Sequence, residues 1–131
     1  MKNVIIKFFT ILTLLSCKNT QKEYLNLKFT YISNGGSEVL KNQNNTEFEF
    51  IKSKIKANRI EISIDKFATG SIPYYGKARV INDTLYLEYW TNIDEKLIPS
   101  ISTASKFKYE INKVNYKIIK FNFLGNKFKQ K

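Results

Sequence analysis

The chain has 131 residues, with 22 basic against 11 acidic, a formal charge of +11 and no histidine. The missing histidine removes the usual general base, the usual zinc ligand and any Ser-His nucleophile pair. With a single cysteine, Cys17, the chain cannot close an internal disulfide.

Met1 to Ser16 has the layout of a secretory signal. Lys2 supplies the positive start, and Val4 to Leu15 is apolar apart from Lys7, Thr10 and Thr13. The run is too short for a transmembrane helix, which needs about 20 apolar residues. Leu14-Leu15-Ser16-Cys17 closes it and resembles the lipobox of bacterial lipoprotein signal peptides. Leu15 is bulkier than the small residue often found there. On this motif the chain resembles the small lipoproteins of unknown function of diderm bacteria. The resemblance implies a lipid on the Cys17 thiol, cleavage just before Cys17 and acylation of the new amino terminus. A thiol used in this way is no longer a liability in an oxidising compartment. Two or more acyl chains, at roughly 0.8 kcal/mol per buried methylene, would hold the chain on a membrane.

The expected division is a signal peptide over 1–16, a lipidated cysteine and polar tether over 17–23, one β-rich domain over 24–126 and a basic tail over 127–131. No aspartate stands beside Cys17, which by the same resemblance argues against retention at the inner membrane. The expected location is therefore the cell envelope, on the periplasmic face of the outer membrane. Cleavage would leave 115 residues, a single domain's worth. Lys2 and Lys7 leave with the signal, so 20 basic residues face 11 acidic ones, a charge of +9. The lysines are scattered, and Arg59 and Arg79 are the only arginines, so nucleic-acid binding is not expected.

Beyond the tether the pattern is strand after strand. Leu25, Leu27, Phe29 and Tyr31 alternate with polar residues, the period of a half-buried strand. Asn34-Gly35-Gly36 is a strong hairpin signal, which predicts a returning strand over 38–41 and a further turn over 42–45. Glu47 to Ile55 is the next strand, followed by a tight turn at 56–58. Arg59 to Lys66 places Ile60, Ile62 and Ile64 on one face and Glu61, Ser63 and Asp65 on the other. Thr69 to Pro73 breaks the pattern. Tyr75 to Ile81 resumes it, bent at Gly76, and Asn82-Asp83 turns the chain into Thr84 to Trp90. The 92–105 stretch reads as a long gap with a helical turn near Asp94 to Leu97. Lys106 to Ile111 and Tyr116 to Phe123 form a last strand pair around a turn at 112–115, and Leu124-Gly125-Asn126 ends it.

Seven or eight short strands without a convincing helix predict an all-β domain, a small antiparallel β-sandwich with a small β-barrel as the alternative. No phosphate loop, cofactor motif or metal-ligand spacing is present. Two carboxylates across a cleft would suffice for a glycan hydrolase. Asp94-Glu95 is the one adjacent pair, and adjacent residues usually point apart, so an enzyme is not expected. Aromatic residues are the remaining candidates. Tyr74, Tyr75, Tyr86 and Trp90 sit at a loop–strand junction or opposite Leu85, Leu87 and Tyr89, where exposed rings would stack on a sugar or anchor a protein. The expected function is a lipid-anchored interaction module that holds an envelope protein or glycan. An inhibitor or immunity-type protein, with a basic surface blocking an acidic enzyme, and a carboxylate-only glycan hydrolase are the alternatives.

Overall fold

A computed structural model describes the backbone of residues 21–23 and the whole of residues 27–41 and 48–129. Eight strands form two four-stranded sheets packed face to face. The first sheet has the order β1 (Gln21–Glu23), β5 (Tyr75–Ile81), β6 (Thr84–Thr91), β8 (Ile118–Asn126). The second has the order β2 (Lys28–Ile32), β7 (Ser102–Asn112), β4 (Arg59–Thr69), β3 (Glu49–Lys56). The two sheets remain separate, so the molecule is a sandwich and not the alternative barrel.

Alternation in the sequence becomes the two sides of each sheet. Ile60, Ile62 and Ile64 of β4, Leu85, Leu87 and Tyr89 of β6, and Phe107, Tyr109 and Ile111 of β7 point inward and are buried. Period-two patterning permits this because successive side chains on a strand leave opposite faces. β4 and β7 pair over eleven residues, from Arg59 opposite Asn112 to Thr69 opposite Ser102, and form the spine of the second sheet. Rings from both sheets fill the middle. Phe107 lies 4.6 Å from Tyr89 and 5.4 Å from Phe121, centroid to centroid. The hydroxyl of Tyr109 donates to the carbonyl of Glu88 at 2.9 Å, so the largest buried side chain keeps a partner across the core.

Several expectations are corrected. Asn34-Gly35-Gly36 makes no hairpin. Asn34 alone of the three has positive φ, and the chain continues into one helical turn, α1 (Ser37–Leu40). Gly36 serves instead as a close-approach point: a Cβ there would come within 2.3 Å of the Ser105 carbonyl oxygen. The turn expected at 42–45, and Leu25, lie outside the described residues. Gly76 answers to packing as well, since its Cβ would meet the Phe29 ring at 2.3 Å. Gln21–Glu23, assigned to the tether, is a short edge strand paired with β5. β7 begins at Ser102, four residues before the expected start, and a single 3-10 turn at Glu95–Leu97 occupies the gap before it.

The last strand differs most. β8 does not fold back on β7. It crosses to the first sheet and pairs with β6 in parallel, with Leu85 opposite Ile119 and Leu87 opposite Phe121. Two strands separated by a detour through the opposite sheet run the same way, whereas a two-residue hairpin forces opposite directions. β8 also runs through Leu124 and Gly125 to Asn126, past a register shift between Tyr89 and Thr91. The Asn126 side chain accepts from the Ile93 N–H and donates to the Ile93 carbonyl, which ties this end to β6. No helix among the described residues is long and apolar enough to cross a membrane.

Candidate functional site

The outward face of the first sheet collects most of the candidate aromatics. Antiparallel register places Tyr75 opposite Trp90, Lys77 opposite Glu88 and Arg79 opposite Tyr86. Tyr75 and Trp90 are stacked, with centroids 6.0 Å apart and planes 23° apart, and Tyr75 is 45% exposed. β8 adds Lys120 opposite Tyr86 and Asn122 opposite Glu88. Rings and cations then meet in pairs. The Lys127 ammonium lies 4.1 Å from the Trp90 centroid, the Arg79 guanidinium 5.1 Å from that of Tyr86, and Lys120 5.8 Å from the same ring.

Glu88 is the carboxylate between them. Only 2% of its surface is exposed. The Arg79 Nε–H donates to its Oε1, and the Lys77 ammonium lies 3.7 Å from Oε2. A buried carboxylate is costly unless paired and hydrogen-bonded, which explains why Lys77 and Arg79 both lean on it from the neighbouring strand. Among the residues whose side chains are described, this face carries Lys77, Arg79, Lys120 and Lys127 against the carboxylate of Glu88, and the register places Glu23 of β1 opposite Arg79. A cation held over a ring keeps its full charge, so the face presents exposed π-surface and unneutralised cations together.

Of the four aromatics singled out from sequence, Tyr75, Tyr86 and Trp90 share this face, while Tyr74 does not. Tyr74 lies on the inward side, its ring 4.6 Å from Tyr31 and 5.3 Å from Phe107, and its hydroxyl donates to the Thr69 carbonyl at 3.1 Å. Burial first, and then the neighbouring Tyr31, push that hydroxyl up to about 12. Adjacent residues at the start of a strand point to opposite sides, so Tyr74 and Tyr75 were never able to act together. Sequence reasoning missed Arg79, Lys120 and Lys127. For Arg79 a signal existed, because it shares the period of Tyr75 and Lys77. For Lys127 none did, because the basic tail carries no pattern. Its backbone N–H donates to the Thr91 carbonyl at 2.8 Å, so the start of that tail is held against the sheet.

The outward face of the second sheet has a different character. Lys28, Lys54, Lys106 and Lys108 surround Glu61, Glu110 and Asp65 on it, with Glu110 and Glu61 opposite each other in the middle of one row. Lys56 and Lys108 approach Glu61 at 2.9 and 3.4 Å. The hydrogen bond from Lys56 holds the Glu61 carboxyl below its usual range, with Lys108 acting in the same direction. Asp65, almost fully buried, accepts from the Glu38 N–H at 3.2 Å and faces Lys106 at 3.7 Å. A polar hollow of about 300 Å³ lies over this grid, between α1 and Lys52 of β3.

The carboxylate pair Asp94-Glu95 is occupied locally. Asp94 Oδ1 accepts from the Lys96 N–H and caps the 3-10 turn, while Glu95 is exposed. Among the described residues no group of three or more His, Cys, Asp or Glu side chains could hold a metal ion. Cys17 lies outside the described residues. No protein-family model, no curated protein and no solved structure matches the chain.

Proposed function

We propose that this chain is a binding module without catalytic activity, held on the envelope membrane by lipid on Cys17, whose ligand is an acidic glycan. The lipid anchor rests on the Leu14-Leu15-Ser16-Cys17 motif, and the periplasmic face of the outer membrane is the location that motif favours. The observation that carries the ligand class is the exposed Tyr75–Trp90 stack beside Lys127, with Arg79 and Lys120 on Tyr86. A sugar ring stacks on an aromatic face, and its carboxylates pair with Lys120 and Lys127, for which no carboxylate partner is seen among the described residues. The rings and cations are spread over three neighbouring strands, so the face suits a chain of sugars better than a small enclosed substrate.

Trp90 is the chain's only tryptophan, so fluorescence excited beyond the tyrosine band reports this site alone. Titrating the full chain in detergent with polygalacturonate is expected to change that fluorescence, and the effect weakens as salt rises. Neutral dextran leaves it unchanged. Tyr75→Ala weakens binding by roughly tenfold or more, as loss of an aromatic anchor does. Lys52→Glu on the opposite sheet changes it by less than about twofold, the scale of a remote charge screened by salt. A silent Trp90, or a loss confined to Lys52→Glu, rejects the reading. Metabolic labelling with a fatty acid checks the anchor: the label is expected on the wild-type chain and absent from Cys17→Ala.

A further inference from the structure

Between the ends of the two sheets lies a second, unrelated feature, a cleft of about 190 Å³ lined by Phe67, Ala68, Thr69, Tyr74, Tyr89 and Phe123. No charged side chain lines it. Three of its walls are rings packed on one another: Tyr89 lies 5.8 Å from Tyr74 and 4.9 Å from Phe123. Phe123 is 53% exposed and stands at the rim. Tyr89 is 5% exposed, yet its hydroxyl has no hydrogen-bond partner among the described residues. The neighbouring tyrosines are different. Tyr74 and Tyr31 both donate to the Thr69 carbonyl, and Tyr109 donates to Glu88.

A hydroxyl that finds only cleft water in an otherwise apolar wall gains little over a phenylalanine in its place. In a well-packed strand, that is a poor reason to have a tyrosine. We infer that the cleft is a binding site for a small neutral aromatic molecule carrying one oxygen acceptor, which receives the hydrogen bond of the Tyr89 hydroxyl. The ring walls give an aromatic guest edge and face partners. The uncharged lining would leave an ionised guest unpaired. The volume lies below the roughly 300 Å³ at which drug-sized ligands begin, so one ring with a short substituent fills it. This site is separate from the outward face of the first sheet and does not rest on the glycan reading.

The test compares acetophenone, which has a carbonyl acceptor, with ethylbenzene, a slightly smaller aromatic that has none. Both are titrated into the full chain in detergent and into its Tyr89→Phe variant. Partition into the detergent is common to both proteins and cancels between them. Acetophenone is expected to bind the wild type about tenfold more tightly than it binds Tyr89→Phe, the size of one hydrogen bond, while ethylbenzene does not distinguish the two. Tyr89→Phe is also expected to melt at the same temperature or higher, because it removes only an unpaired group. Tyr109→Phe, which breaks a real bond, melts lower and serves as the structural reference. Three results overturn the inference: no acetophenone binding to the wild type, equal binding to both proteins, or a melting loss in Tyr89→Phe as large as that in Tyr109→Phe. Binding of methyl glucopyranoside in preference to acetophenone overturns the aromatic class.

Discussion

The two outward faces of the sandwich hold their cations by different means. On the second sheet, lysines pair with acids across strands, as Lys28 does with Glu110, Lys56 and Lys108 with Glu61, and Lys106 with Asp65. On the first sheet one carboxylate, Glu88, takes Lys77 and Arg79, and the other cations rest on rings. A lysine beside a carboxylate has its charge cancelled locally. A lysine over an indole has its charge positioned but left for a ligand to meet. The placement of the acids therefore yields a largely paired surface on one side and a receptive one on the other.

The comparison can be broken at its charged pairs, beginning with the most buried. Arg79→Met leaves the buried Glu88 carboxylate with Lys77 alone, and breaking a buried pair from one side costs about 3 kcal/mol or more. Urea unfolding measures it, and a loss below about 1 kcal/mol, the range of an exposed pair, would mean that water serves Glu88. On the opposite face, Lys106→Met is expected to cost less, about 1 kcal/mol, because Asp65 keeps the Glu38 N–H. If Lys106→Met proves as damaging as Arg79→Met, the second face is not the better satisfied one.

The smallest effect belongs to Glu61. Its carboxyl is held low by Lys56 and then Lys108, so its folded-state value lies below its unfolded one. Its contribution is therefore complete above the ordinary glutamate value of 4.5 and is lost as the pH falls through the lower, folded value. The pairs are solvent-exposed, so the contribution is small and shrinks further with salt. The unfolding midpoints of wild type and Glu61→Gln are expected to differ slightly at neutral pH and to converge in acid. A gap that widens in acid contradicts the sign.

Much of the β architecture was legible because it is written in nearest neighbours. Ile60, Ile62 and Ile64 need only a period of two to share a face, and Asn82-Asp83 needs only two residues to reverse the chain. The same holds for Tyr75 and Trp90: their outward side follows from the inward side of Ala78, Leu87 and Tyr89. Tyr74 was grouped with Tyr75 because both stand at the loop–strand junction, whereas parity sends Tyr74 inward. Asn34-Gly35-Gly36 was misjudged because the Gly36 constraint comes from the Ser105 carbonyl, nearly seventy residues away in the chain.

By itself the sequence determined most strands and turns, and the inward and outward sides of the strands that alternate cleanly. Each depends on local sterics or on the contrast between neighbouring residues, which a linear chain contains in full. Only the tertiary structure decided which strands are neighbours. β8 joins β6 in parallel, Lys127 comes to rest on Trp90, and Arg79 meets Glu88. It also decided that Tyr89, unlike Tyr74 and Tyr109, finds no acceptor among the described residues. Those outcomes depend on how two amphipathic sheets fit together, and packing couples residues whose separation along the chain has no bearing on their separation in space.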